Sequence, residues 1–137
     1  MRPIERQVAY FESLTPESVQ TLGEYYTADA FFKDPFNEVQ GLAGIQAIFL
    51  RMFEQVDAPR LHVRAQVFDG AEGFLVWDLI FRFRGGRPAR IHGVSHIKLA
   101  QDGRVAYHRD YWDSVEELYE KVPLLGALMR WLKRRVG

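Results

Sequence analysis

The feature that most constrains this chain is a change of hydrophobic period at Pro59. Upstream of it apolar residues recur at helical spacing, and downstream they alternate as in strands. Ile4, Val8 and Phe11 mark a first helix over about residues 3–14. Thr15 then offers a hydroxyl N-cap and Pro16 suits a first helical position, so a second helix is expected through Val19, Leu22 and Tyr26. Residues 29–35 read as short and extended, because Pro35 lacks a donor and biases Asp34 away from the helical region. After Gly41, the residues Ile45, Ile48, Phe49, Met52, Phe53 and Val56 form the apolar stripe of a third helix. Beyond Pro59, residues 61–68, 73–84, 89–99 and 104–113 read as four strands. The turns between them are Asp69-Gly70, Gly85-Gly86 and Asp102-Gly103, which accept positive φ. Helices followed by an antiparallel meander predict an α+β domain with helices packed on one face of the sheet. A C-terminal helical tail is expected from near Val115 to Arg135. One domain is expected over residues 1–137.

Composition removes several function classes. Basic and acidic residues balance at 18 each, so no long-range field draws the chain to nucleic acid or anionic lipid. There are no cysteines, hence no disulfide framework and no thiolate zinc site. The N-terminal segment carries Glu5 and Glu12 and lacks the apolar core of a secretory signal. No apolar run approaches bilayer length. The reading is a soluble cytoplasmic domain.

The residues with chemistry lie in two places. Asp34 in an apolar cavity would be poorly solvated, its pKa rising toward working pH as a general base needs. The other reading of Asp34 is a turn residue before proline that caps local backbone. On the last strand, alternation sets His108, Asp110 and Trp112 on one face. His108 and Asp110 then form an acid/base pair, or a hydrogen-bonded pair that satisfies a cavity wall. His92 and His96 are four residues apart on a strand, about 13 Å, too far to share one ion. They also have parity opposite to Ser95, so they are expected to face away from a pocket, and no metal site is expected.

The stretch Tyr25-Tyr26-Thr27-Ala28-Asp29-Ala30-Phe31-Phe32-Lys33-Asp34-Pro35 resembles the segment of ketosteroid isomerases that ends in their catalytic Asp-Pro. Tyr10 falls at the distance upstream where those enzymes carry a tyrosine on the first helix. The run from Gly86-Arg87-Pro88 through Asp110-Tyr111-Trp112 can be laid on the last two strands of that family without a gap. The resemblance implies the cone-shaped fold of ketosteroid isomerase, nuclear transport factor 2 and SnoaL-like proteins, with one hydrophobic pocket. It implies Asp34 as general base, Tyr10 as donor to a developing enolate oxygen, and Tyr26 as the tyrosine that buttresses Tyr10. Two positions depart from the pattern: Ser95 stands where the isomerases keep a protonated aspartate in the oxyanion hole, and Phe49 where they have a third tyrosine. Ketosteroid isomerase is a worked case of a carboxylic acid held neutral in an apolar site.

Strand 73–84 carries a conflict. Period alone aims Leu75, Trp77, Leu79, Phe81 and Phe83 at the core. The ungapped match instead aims Asp78, Ile80 and Arg82 into the cavity, with Arg82 able to bind a carboxylate or oxyanion. Both hold if the outer sheet face is buried in a homodimer through Trp77, Phe81 and Phe83. A slip of one residue inverts the assignment. The tail has an apolar side and a basic one, and is read as cover for hydrophobic surface rather than as a membrane contact.

The expected function is an isomerase-like enzyme that binds a hydrophobic ligand carrying a carbonyl. Asp34 would abstract the neighbouring proton, while Tyr10, with Ser95 or Arg82, holds the enolate oxygen. No cofactor is required. The alternatives are a non-catalytic hydrophobic-ligand module, and a hydrolase-type enzyme that activates water with His108 and Asp110.

Overall fold

The computed structural model describes residues 2–113. The chain opens with α1 (Pro3–Glu12), α2 (Pro16–Val19) and a single 3₁₀ turn (Leu22–Glu24), followed by β1 (Tyr26–Lys33) and β2 (Glu38–Gln40). Then come α3 (Leu42–Gln55), β3 (Val56–Asp69), β4 (Glu72–Phe83), β5 (Pro88–Leu99) and β6 (Val105–Tyr111). The six strands form one open sheet in the order β2-β1-β6-β5-β4-β3. It is curved, and the helices pack on its concave face.

Local chemistry accounts for much of this. The Thr15 hydroxyl accepts from the Ser18 amide at 3.0 Å while the Ser18 hydroxyl accepts from the Thr15 amide at 2.9 Å, a reciprocal cap at the start of α2. The three hairpin glycines, Gly70, Gly85 and Gly103, have φ of 63°, 65° and 88°. Two register shifts in the β3–β4 pairing, at Asp57/Arg60 and Val63/Ala65, bend the long hairpin.

Three expectations need correction. The second helix does not reach Tyr26: α2 ends at Val19, and Tyr26 opens β1. Gly23 is a poor helix former, and the Tyr25-Tyr26-Thr27 run favours an extended backbone. The sheet is mixed, not antiparallel, because β1 pairs parallel with β6 through Phe31↔Tyr107, Phe32↔His108 and Lys33↔Arg109. No turn links those strands, so local pattern carries no sign of the pairing. The three-residue β2 was also absent from the sequence reading, being too short to display a period.

The conflict on β4 resolves in favour of period. Leu75, Trp77 and Phe81 are buried on the concave face, packed with Tyr26, Phe32, Ile91 and Ile97. Asp78 and Arg82 therefore lie on the convex face, against the ungapped match. The physical reason is burial: an interior Arg82 would need an ionic partner, whereas an interior Trp77 or Phe81 gains about 1.5–3 kcal/mol of apolar transfer. Asp78 is nearly covered there by its own partners, with Arg64 Nη2 at 2.7 Å and His92 Nδ1 at 2.8 Å. Its carboxyl is held below the usual range, chiefly by the His92 hydrogen bond. His92 and His96 lie on this face, as parity predicts, and His96 Nε2 meets Glu72 Oε2 at 2.6 Å. The tail expected to be helical, residues 115–135, lies outside the described residues.

One glycine on the concave face has a packing role. Gly93 pairs with Trp77 across β4 and β5, and a Cβ built on Gly93 would stand 2.5 Å from the Trp77 ring. The indole lies flat over the bare backbone. Gly93→Ala is expected to displace the ring and to destabilise the domain by about 1–3 kcal/mol, the usual range for overpacking. Denaturant unfolding checks the loss, and a changed tryptophan emission spectrum checks the displacement.

Candidate active site

The curved sheet and the helices α1 and α3 enclose a cavity of about 640 Å³. Its walls are aromatic, with Phe11, Phe32, Phe49, Trp77, Phe81 and Trp112 among the lining residues. Polar residues also line it: Asp34, Ser95, His108 and Asp110, together with others such as Glu12, Asn37 and Arg51. A more open groove of about 450 Å³ adjoins it and shares Asp34, Asp110 and Trp112.

The parallel pairing of β1 with β6 brings the two carboxylates together. Phe32 lies opposite His108 and Lys33 opposite Arg109, so one further step sets Asp34 beside Asp110. Residues opposite one another on adjacent strands share a face, and the strands are about 4.8 Å apart. Phe32 and His108 point inward, so Asp34 and Asp110, two residues on, do so too.

The turn reading of Asp34 is met, and the side chain also lines the cavity. Its Oδ1 accepts from the amides of Phe36 at 2.8 Å and Asn37 at 2.7 Å, and from Asn37 Nδ2 at 3.1 Å. Among the described residues its Oδ2 has one hydrogen-bond partner, Asn37 Nδ2, at 3.2 Å. Asp34 thus caps its own turn with one oxygen and offers the other to the cavity. Burial pushes its carboxyl above the usual value, the turn amides pull it down, and the Asp110 charge adds to the rise.

Asp110 lies at the end of a hydrogen-bonded network. The Ser95 hydroxyl donates to Asp110 Oδ1 at 2.5 Å and accepts from Trp77 Nε1 at 2.8 Å. His108 Nε2 lies 2.7 Å from the same Oδ1, and His108 Nδ1 lies 2.6 Å from the Tyr26 hydroxyl. Tyr26 is fully buried, which pushes its phenol well above the ordinary value.

The structure therefore unites Asp34, Ser95, His108, Asp110, Trp112 and Phe49 around one cavity. The Trp112 ring packs edge-on to Phe36 at 5.5 Å, and Phe49 packs edge-on to Tyr26 and Phe32. Tyr10, Asp78 and Arg82 are not among the lining residues. The Tyr10 hydroxyl donates to the Ser18 carbonyl at 2.8 Å, and its ring stacks on Tyr25 with centroids 3.8 Å apart. One residue along a helix turns the side chain by about 100°, so Phe11 takes the cavity-facing position instead. Burial raises the Tyr10 phenol to about 12. Tyr26 does not buttress Tyr10; it serves His108. Sequence reasoning missed Trp77 as a cavity donor, although period alone aimed it inward. It also missed Asn37, whose place three residues after Asp34 is a usual turn partner. Among the described residues no three of His, Asp and Glu converge to hold a metal ion.

The fold and site define a class: a small α+β domain with an aromatic cavity lined by the carboxylates of Asp34 and Asp110. The chain belongs to the SnoaL-like domain family, whose model matches residues 8–108. Solved structures agree on the fold. A protein from Shewanella denitrificans provisionally assigned as a SnoaL-like polyketide cyclase is 25% identical, covers 88% of this chain and 100% of its own, and has a TM-score of 0.68. An epoxide hydrolase from M. tuberculosis is 20% identical, covers 96% of both chains and has a TM-score of 0.71. A Catenulispora acidiphila protein with a ketosteroid isomerase-like fold, in complex with trimethylamine, is 13% identical over 85% of this chain and 89% of its own, with a TM-score of 0.72. No curated protein matches the sequence. None of the helices described is long and apolar enough to cross a membrane.

Asp34 has a stability consequence of definite sign. Folding raises its pKa, so its ionisation opposes the fold; that cost is absent below the unfolded value and grows as pH rises through the folded value. Asp34→Asn keeps an Oδ1 acceptor for the turn amides but carries no charge. The variant is expected to melt higher than wild type at neutral pH, with the gain shrinking as pH falls toward 3.8. Melting curves over that range check it, and a lower melting temperature for the variant at neutral pH would refute it.

Proposed function

We propose that this protein is an enzyme that moves a proton next to a carbonyl in a hydrophobic small molecule, with Asp34 as the base. The observation that carries the reading is a carboxylate with one nearly free oxygen in an aromatic cavity, its basicity raised by burial and by the Asp110 charge. Asp34 Oδ2 would take the proton from the carbon, leaving an enolate, and return it to a second carbon of the conjugated system. The products are an isomer and a restored carboxylate, so no cofactor is consumed. The family and the neighbours provisionally assigned as polyketide cyclases support a polycyclic or polyketide-like ligand.

Support for the enolate oxygen is weak. Tyr10 lies outside the cavity, and the Ser95 hydroxyl is committed to Asp110. One oxyanion-hole donor is worth roughly a hundred- to a thousandfold in rate. Turnover of a β,γ-unsaturated ketosteroid is therefore expected at least about a hundredfold below that of a true isomerase, and a rate at the level of such an enzyme would refute the argument.

The test begins with thermal-shift screening against steroids, polyketides and terpenoids, since a ligand that binds the folded state raises the melting point. On a substrate found this way, Asp34→Asn is expected to abolish turnover and keep binding. Turnover should rise with pH as Asp34 ionises. Asp110→Asn removes a charge that raises the Asp34 pKa, so this limb of the profile should move to lower pH in that variant. Unchanged turnover in Asp34→Asn would mean a different base, and a ligand bound by wild type without turnover would leave a binding module.

A second reading is favoured by the convergence of Ser95 and His108 on Asp110 Oδ1. In it Asp110 activates water, as an enzyme related in fold to an epoxide hydrolase could. Incorporation of labelled water oxygen into product separates the two. The homodimer expected from the sequence is proposed on a different set of residues, the exposed Val67, Phe74, Ile80 and Tyr111. Light scattering with a monomeric mass at micromolar concentration would overturn it.

A further inference from the structure

We infer that Tyr26 is a positioning residue: its phenol holds His108 as the tautomer protonated at Nε2 alone, so the imidazole serves as a fixed donor to Asp110 and not as the proton carrier. The sequence alone left His108 and Asp110 as an acid/base pair or as a hydrogen-bonded pair.

The argument is an accounting of hydrogens. The Tyr26 side chain is fully buried, and among the described residues the one hydrogen-bond partner of its hydroxyl is His108 Nδ1 at 2.6 Å. A phenol O–H left without an acceptor in such a place keeps the full desolvation penalty of a buried donor. If Nδ1 carried a proton, Tyr26 would be left in that position, because only one hydrogen fits between the two atoms. Burial and the Asp110 charge both keep the phenol protonated, so it is the phenol that donates. On the other side of the ring, Nε2 lies 2.7 Å from a carboxylate oxygen, which can only accept while ionised. Nε2 therefore carries the hydrogen.

The rest of the network closes without conflict. Trp77 Nε1–H donates to Ser95 Oγ, and Ser95 O–H donates to Asp110 Oδ1. Tyr26 O–H donates to Nδ1, and Nε2–H donates to Asp110 Oδ1. Each of these four hydrogens has one acceptor. The 3.3 Å approach of Ser95 Oγ to Nε2 is then a side contact of two groups that share one carboxylate oxygen. The titratable groups around the ring are Tyr26 and Asp34 from the β1 side and Asp110 from β6; α1 contributes Phe11, and β5 contributes Ser95. Both donors meet at Oδ1, and Asp110 Oδ2 has no hydrogen bond among the described residues. The consequence for Asp110 as a working group rests on the acid–base reading of the cavity; the tautomer does not.

The experiment needs no substrate. Nitrogen-labelled protein near neutral pH is examined by correlation spectra of the histidine rings, with His108 assigned by its loss in His108→Gln. The expected result is one species, with a pyrrole-type Nε2 and a pyridine-type Nδ1. A pyrrole-type Nδ1, or two pyrrole-type nitrogens, would overturn the inference on wild-type protein alone. In Tyr26→Phe, shown folded by a dispersed amide spectrum, the single species should be lost in favour of tautomer exchange. In Ser95→Ala, which keeps the phenol, it should persist. The inference also fails if Tyr26→Phe leaves the ring signature unchanged. A failed Asp34→Asn turnover test would leave this result standing, so the two readings fail separately.

Discussion

The parallel seam between β1 and β6 is the constraint on which the rest of the structure depends. It joins residues near the N-terminal third of the chain to the last described strand, and it is the one parallel pairing in the described sheet. Parallel strands cannot be joined by a tight turn, so α3 and the long meander serve as the crossover between them. Hydrogen bonds reinforce its lower end: the Val105 amide donates to the Tyr25 carbonyl at 2.8 Å, and Gln7 Nε2 donates to the Gly103 carbonyl at 2.9 Å. The same seam sets Phe32 against His108 and Asp34 against Asp110. Without it, the two carboxylates would belong to unrelated parts of the molecule.

The site that results sets two physical demands against each other. An aromatic cavity favours apolar occupants, yet its lining includes Asp34, Asp110, Ser95 and His108. The fold meets that cost unevenly. Ser95, His108 and Tyr26 are buried and fully hydrogen-bonded to one another or to Asp110. Asp34 is instead held by a turn and left with one nearly free oxygen. A buried carboxylate with a raised pKa opposes folding at neutral pH, which is the usual relation between a reactive group and the scaffold that carries it. Gly93 belongs to the same design: the absent Cβ lets the Trp77 ring lie close to β5 and direct its N–H to Ser95.

Much of the fold was legible in the sequence. The three glycine turns, the third helix and the long strands fall near their expected positions, because each rests on local pattern or turn chemistry. Parity on β6 also set His108, Asp110 and Trp112 on one face correctly. For the inward-facing residues of β4 and α1, the reading went astray where it relied on alignment over physics. On β4 the ungapped match turned Asp78 and Arg82 inward, although alternation already pointed to Trp77 and Phe81. On α1 it selected Tyr10, whose hydroxyl is satisfied by the Ser18 carbonyl, while Phe11 faces the cavity. A match of one tyrosine at one distance cannot fix helix phase, since a single residue rotates the side chain away.

By itself, then, the sequence determined most of the elements: the helical stripe of α3, the alternation of the later strands, turns at glycines, and a proline that biases Asp34 to extended backbone. It set the switch of period at Pro59, whereas β3 already begins at Val56. It also determined which residues share a strand face. Only the tertiary structure decided which strands meet, and hence that Asp34 and Asp110 form a pair. It also decided that Tyr26 reaches His108 and that Tyr10 is spent on a backbone carbonyl. The physical reason is that period and turn propensity act over a few residues, whereas a parallel pairing across some seventy residues is fixed by burial of the whole concave face, which no local segment encodes.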